Sequence, residues 1–287
     1  MMVEGKKAGV VGAGLMGAEI ALVFALGGYE VILHDRDAAA LDRGIKRIEA
    51  VLHKGVERGN YAREQADAAM GHIRTTTDLA DFGACDLVTE AVFEAIEVKT
   101  AVLQALDAAC AEHCVIASNT STIPISTLAG TLAEARRACF IGTHYFSPVS
   151  RMPLVEVIPG FDTDRRVIAS TIELMRDIGK TPIVIKDVAG FAVNRMLHAM
   201  MIEAVRLVEE GVASPEDLDT ACRLGLGHPI GPFALMDLVS ADLCLQVQSI
   251  LQEAYGERFR PPALLKQRVA AGLGGGRGRR GWLSGAS

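Results

Sequence analysis

The stretch Ala8-Gly9-Val10-Val11-Gly12-Ala13-Gly14-Leu15-Met16-Gly17 decides how the first part of this chain folds. It opens short and apolar, then turns into G-x-G-x-x-G. Residues 15–26 follow, apolar and alanine-rich, and stop at Gly27-Gly28; Glu30-Val31-Ile32-Leu33-His34-Asp35 comes next. The order reads as strand, glycine turn, helix, strand, with the paired glycines as the helix stop. Each fingerprint glycine has its own reason. Gly12 permits the tight turn, Gly14 lets the backbone approach a pyrophosphate, and Gly17 lets the helix pack closely on the sheet. The helix start, at Leu15 and Met16, offers N–H groups and a positive dipole end to phosphates. Asp35 ends the second strand where a carboxylate accepts hydrogen bonds from ribose hydroxyls. A 2′-phosphate would meet that carboxylate, so NAD is expected over NADP, although Arg36 could pair with such a phosphate. The competing reading is a glycine-rich turn in some other α/β protein.

Working outward, residues 37–59 and 63–71 read as charged helices. The apolar runs at 86–90, 114–118, 140–144, 154–158 and 182–185 read as strands, and residues 96–110 and 164–178 as helices. Such alternation predicts an α/β domain: a Rossmann-type, mostly parallel sheet covered on both faces, over residues 1–187. Past Lys186-Asp187 no convincing strand remains, and residues 188–287 read as an all-helical C-terminal domain. Ser214-Pro215-Glu216-Asp217 is a helix start with a hydroxyl cap, a proline and acids in the first turn. Residues 233–255 and 263–271 read as helical. The Gly/Arg-rich end, residues 272–287, is expected to be poorly ordered.

The chain has 287 residues, 50% hydrophobic and 22% charged, which allows a sizeable core and excludes wholesale disorder. A net charge of −6 gives no overall field for nucleic acid. Of six cysteines only Cys110 and Cys114 are close together; the four scattered ones make no disulfide framework, and the set suggests reduced thiols in a cytoplasmic protein. Cys110, His113 and Cys114 lack a second ligand pair at zinc spacing, so no metal is expected. The first residues carry no signal-peptide pattern. The long apolar stretch at 188–208 holds Asn194, Arg195, His198, Glu203 and Arg206, which argues for a buried helix and against a membrane span.

A cofactor site of this kind needs a partner group that can take a proton when hydride leaves an alcohol, and histidine suits this near neutral pH. Of the seven histidines, His144 ends a predicted sheet strand, and ligands in open α/β sheets sit beyond the carboxyl ends of strands. Glu156 lies inside the apolar run Leu154-Val155-Glu156-Val157-Ile158, where a carboxylate is costly unless paired. A His144–Glu156 pair would resolve that cost, orient the ring and stabilise the imidazolium. A structural histidine remains the alternative. Ser118-Asn119-Thr120-Ser121-Thr122 also follows a strand directly. It can bind a substrate oxygen or the nicotinamide amide, or simply cap a helix.

The sequence resembles the short-chain L-3-hydroxyacyl-CoA dehydrogenases, including the bacterial 3-hydroxybutyryl-CoA dehydrogenases, from about residue 7 to about residue 272. The resemblance is carried by Val10-Val-Gly-Ala-Gly-Leu-Met-Gly17, Ala117-Ser-Asn-Thr-Ser121, His144-Tyr-Phe-Ser-Pro-Val149, Met152-Pro-Leu-Val-Glu-Val-Ile158, Gly190-Phe-Ala-Val-Asn-Arg195 and Gly231-Pro-Phe233. It implies NAD-dependent oxidation of a 3-hydroxyacyl-CoA to the 3-ketoacyl-CoA. His144 would be catalytic and Glu156 its partner. Ser121 would contact substrate and nicotinamide, and Asn194 would lie near the substrate carbonyl. Asp35 would bind ribose, and Glu94 and Lys99 would line the cofactor. Lys54 and Arg58 fall where the family places basic contacts to coenzyme A, though a solvated helix face explains them equally. The resemblance also implies a homodimer formed through the helical domain. Ser147 stands where the family usually has asparagine, and the chain's end keeps only one aromatic, Trp282, of an aromatic-rich finish. Two rival expectations stay open: a dehydrogenase of a small hydroxy acid, and a non-catalytic NAD-binding protein on the same scaffold.

Overall fold

Strand β1 (Lys7–Val11) lies inside an eight-stranded sheet with β2 (Glu30–His34), β3 (Ile73–Thr76), β4 (Leu87–Glu90), β5 (Val115–Ser118), β6 (Phe140–Tyr145), β7 (Leu154–Pro159) and β8 (Thr181–Val184). The spatial order is β3-β2-β1-β4-β5-β6-β7-β8. All neighbours run parallel except β6 and β7, which are antiparallel. The computed structural model describes residues 6–276 and 278–283. The chain divides into two units, Met1–Val188 and Ala189–Ser287.

The first unit also holds α1 (Leu15–Leu26), α2 (Ala38–Glu57), α3 (Arg63–Gly71), α4 (Ile96–Ala109), α5 (Ile125–Ala129), α6 (Glu134–Arg137) and α7 (Arg165–Asp177), with a 3-10 turn at Leu79–Ala84. Residues 17–25 of α1 are all buried, as expected of a helix that is apolar on every side. Successive strand residues point to opposite faces. Ala8 and Val10 share a core with α1, while a side chain on Gly9 would run into Phe82 of the 3-10 turn. The sheet is therefore covered on both faces. Asp187 lies between the predicted strands and helices, and its carboxylate accepts from the backbone N–H groups of Ile125 and Ser126 (2.8 and 2.7 Å), capping α5.

The sequence pattern did not reveal β3. Ile73-Arg74-Thr75-Thr76 has one apolar residue and sits half-exposed at the sheet edge, so no buried run marks it. Strand β8 occupies the other edge, where Pro182 lacks an N–H to donate.

The second unit comprises α8 (Val193–Glu209), α9 (Pro215–Gly225), α10 (Pro232–Val239), α11 (Ala241–Tyr255) and α12 (Ala263–Ala270), plus a 3-10 turn at Glu257–Phe259. Met201, Val205, Phe233, Met236, Cys244, Leu265 and Trp282 form its core. The long helix starts at Val193 rather than 188, because Gly190 (φ +70°) and Phe191 (φ +46°) turn the chain first. The helical pattern over 233–255 is broken at Ser240 (φ +91°), whose hydroxyl accepts from Leu243 N, and the two helices meet at 102°. The described part of the Gly/Arg-rich end is packed, contrary to expectation. Trp282 is buried, its backbone N–H donates to Asp237 (2.7 Å), and the Arg268 guanidinium lies 4.3 Å from the ring centre. Burial of one indole supplies the apolar area that the glycines lack. Residues 277 and 284–287, which share that expectation, and residues 1–5, which bear on the signal-peptide reading, lie outside the described residues. No single helix among the described residues is long and apolar enough to cross a membrane. The six cysteines are unbridged.

Candidate active site

The glycine turn has the form its spacing demands. Gly12 adopts φ +99°, and a side chain there would strike the Ala91 carbonyl at 2.7 Å. A Cβ on Gly17 would sit 1.7 Å from the Gly12 carbonyl oxygen, so only glycine lets α1 lie this close. A Cβ on Gly14 would meet nothing, leaving open space above the turn. Gly14 is the N-cap of α1 and no side chain caps the helix, so the N–H groups of its first turn, around Leu15 and Met16, face that space uncapped. The Asp35 carboxylate accepts from Ala13 N (2.9 Å) and Asp37 N (3.1 Å), which fixes the acid beside the turn. Open backbone donors next to a fixed acid fit the pyrophosphate and ribose of NAD.

Adjacent to this turn, the carboxyl ends of β4 and β5 carry a polar network. Glu94 Oε1 accepts from Thr120 Oγ1 (2.6 Å), Ser121 N (2.8 Å), Ser121 Oγ (3.3 Å), Thr122 N (2.9 Å) and Thr122 Oγ1 (3.0 Å). Its other oxygen lies 3.2 Å from the Lys99 ammonium. Burial alone would raise the Glu94 pKa. The Lys99 charge and these hydrogen bonds outweigh that and hold it at about 2. Lys99 is itself 1% exposed and also pairs with Glu90 (2.8 Å), so of these three charged groups it is Glu94 that keeps an exposed side. Glu90 and Ser118 complete the network, the serine hydroxyl donating to Glu90 Oε2 at 2.6 Å. Ser118 belongs to the hydroxyl run 118–122 that the sequence points to, whereas Glu90 is not singled out there. The signal was there in Glu90, a carboxylate closing the apolar run Leu87-Val88-Thr89.

Two strands further along, His144 and Glu156 face each other in the β6–β7 register. His144 Nδ1 lies 2.8 Å from Glu156 Oε2, and both side chains are buried. Phe146 packs against the imidazole with ring centres 4.6 Å apart. The following loop contains the cis Ser147–Pro148 peptide and is tied down after it, over residues 149–152. Glu19 accepts from Ser150 N (3.1 Å), and Lys180 donates to the carbonyls of Val149 and Met152. Ser147 is exposed on that loop. Lys54 and Arg58 are exposed at the end of α2. Asn194 is the second residue of α8 in the other unit, where Arg195 stacks on Tyr255 at 3.9 Å and the Tyr255 hydroxyl donates to Ala189 O.

The sequence matches two family models in tandem. Residues 7–188 match the 3-hydroxyacyl-CoA dehydrogenase NAD-binding domain, and residues 190–284 match the 3-hydroxyacyl-CoA dehydrogenase C-terminal domain.

The chain belongs to the 3-hydroxyacyl-CoA dehydrogenase family.

As a 3-hydroxyacyl-CoA dehydrogenase family member it is an NAD-dependent dehydrogenase. A probable 3-hydroxybutyryl-CoA dehydrogenase of Deinococcus radiodurans is 42% identical over 268 residues, covering 93% of this chain and 95% of that protein. One from Bacillus subtilis is 36% identical over 280 residues, covering 97% of each. The crystal structure of (S)-3-hydroxybutyryl-CoA dehydrogenase from Ralstonia eutropha superposes with a TM-score of 0.92 at 37% identity, covering 96% of this chain and 97% of that one.

Proposed function

We propose that this family member oxidises an (S)-3-hydroxyacyl-CoA, 3-hydroxybutyryl-CoA foremost, to the 3-ketoacyl-CoA, reversibly. The observation that carries the reading is the buried His144–Glu156 contact of 2.8 Å at the carboxyl end of the sheet. NAD, when bound, supplies the acceptor for the hydride from C3. The protein's task is the proton. With its Nδ1–H donated to Glu156, the neutral imidazole carries its acceptor lone pair on Nε2, the atom that takes the hydroxyl proton. Glu156 then balances the imidazolium and holds the ring plane. In the reverse direction His144 starts protonated and returns that proton to the ketone oxygen. Ser121 and Asn194 orient the substrate oxygens, which sets the geometry of transfer. Glu94 fixes Ser121 for this work. Gly14, with the N–H groups of Leu15 and Met16, would hold the pyrophosphate in the turn that Gly12 and Gly17 make possible, Asp35 the ribose, and Lys54 with Arg58 the phosphates of coenzyme A.

The reading extends to a homodimer in the cytoplasm. Reduced thiols suit that compartment. Leu224 (83% exposed), Leu226 (67%) and Leu238 (72%) leave apolar surface on the helical unit that a second copy would cover. A mass of one chain by light scattering would contradict the dimer.

Assays with NADH decide the substrate class. Acetoacetyl-CoA and longer 3-ketoacyl-CoA thioesters are expected to turn over, with the corresponding free keto acids about a hundred-fold slower or worse. Equal rates on the free acids would favour a small hydroxy-acid dehydrogenase. Tight NADH binding without turnover would favour a non-catalytic binding protein.

A further inference from the structure

The family reading leaves Glu90 without a role, although it is among the most enclosed charges in the first unit. It is the last residue of β4 and pairs in register with Ser118, the last residue of β5. Its side chain is fully buried and takes four hydrogen bonds from three donors: Val92 N (2.7 Å), Lys99 Nζ to both oxygens (2.8 and 3.1 Å) and Ser118 Oγ (2.6 Å). A buried ion pair is a poor device for stability alone, because apolar residues of similar volume often do as well or better. Glu94, across the ammonium, is still 32% exposed. Lys99 thus stands between two carboxylates, and the cluster holds one negative charge in excess.

The fold says where that excess sits. In a doubly wound sheet the dinucleotide straddles the crevice outside the carboxyl ends of the strands. The pyrophosphate lies at the β1–α1 turn and Asp35 directly follows β2, so the adenosine half lies on the β2 side. The nicotinamide half then extends over the ends of β4 and β5, where Glu90, Lys99, Glu94 and Ser118 are. Oxidised nicotinamide is a cation and the reduced ring is neutral.

We propose that Glu90 is a positioning residue for the nicotinamide half of the cofactor: through Lys99 it fixes Glu94 and the 120–122 turn, and it supplies the charge that makes the cluster prefer the oxidised ring. This rests on the NAD-dehydrogenase reading and adds to it a control on which redox form is held more tightly.

Glu90→Gln isolates the charge. The amide keeps the volume, its oxygen can still accept from Val92 N and Lys99, and its NH2 can donate to Ser118 Oγ. The dissociation constants of NAD+ and NADH are measured by direct titration of the full-length protein. The ratio Kd(NAD+)/Kd(NADH) is expected to rise about ten-fold, carried by NAD+. Lys99→Gln moves the cluster the other way and lowers the ratio, and it decides the matter if the Glu90 variant does not fold. Glu90→Gln/Lys99→Gln restores the net charge and with it a ratio near that of the wild type. A ratio unchanged in the single variants that fold, or both affinities weakened equally, overturns the proposal. Turnover of acetoacetyl-CoA by the unmodified protein tests the functional reading separately, since these binding ratios do not depend on it.

Discussion

Glu156 stands directly across the antiparallel β6–β7 pair from His144, with 2.8 Å between Oε2 and Nδ1. Neighbouring side chains on one face of such a pair are about 5 Å apart at Cβ, so a glutamate reaches an imidazole without leaving the sheet. Two strands therefore fix both partners, and no flexible loop sets their distance. Glu156→Gln keeps the shape and removes the charge that balances the imidazolium. Turnover is expected to fall about a hundred-fold or more, with an altered pH–rate profile. A profile superimposable on that of the wild type would separate the two residues functionally.

Asp35 joins the glycine turn to the end of β2 through Ala13 N at 2.9 Å. Asp35→Ala removes both the ribose acceptor and the anion that faces a 2′-phosphate. The KM for NADH should rise about ten-fold and the preference over NADPH should narrow. Steady-state kinetics with both cofactors check this, and an unchanged preference would locate cofactor discrimination elsewhere, with Arg36 the first group to examine.

His198 on α8 is buried, its Nδ1 has no hydrogen-bond partner among the described residues, and burial lowers its pKa to about 4. The folded state holds it neutral, while the unfolded chain protonates it near pH 6.5. Between these values the unfolded state binds more protons. Stability is therefore full above about pH 6.5 and falls as the pH drops toward 4, by up to about 3 kcal/mol. Urea midpoints across that range should slope less steeply for His198→Gln than for the wild type; parallel slopes would show that another group governs the acid limb.

Arg136 is pinned by Asp107 Oδ1 (2.8 Å) and by the carbonyls of Cys110 (3.0 Å), Ala111 (2.9 Å) and Cys114 (3.1 Å), which staples the turn between α4 and β5. Arg136→Met leaves those acceptors unpaired and is expected to cost about 3–5 kcal/mol, read from urea unfolding. A loss under 1 kcal/mol would mean that water replaces the guanidinium.

The sheet was legible because its central strands are apolar runs between glycine turns and helices. His144 and Glu156 were legible because each is out of place in such a run. What the sequence concealed has physical reasons. Strand β3 is a half-exposed edge with one apolar residue, Ile73. Glu90 carries the same signal as Glu156, but its partner Lys99 lies on a helix, and a lysine on a helix reads as solvated until its burial is seen. Asp187 looked like a domain boundary and proves to cap α5, a contact across 62 positions that no local pattern encodes. Trp282 likewise acts through Asp237, a residue that only the folded chain brings near.

On this mechanism one imidazole, that of His144, moves the substrate proton. The most direct measurement is single-turnover oxidation of NADH by acetoacetyl-CoA in His144→Ala, with the NADH dissociation constant determined on the same sample. The rate should fall about a thousand-fold while the dissociation constant stays within about two-fold of the wild type. A rate within ten-fold of the wild type at unchanged NADH affinity would contradict it.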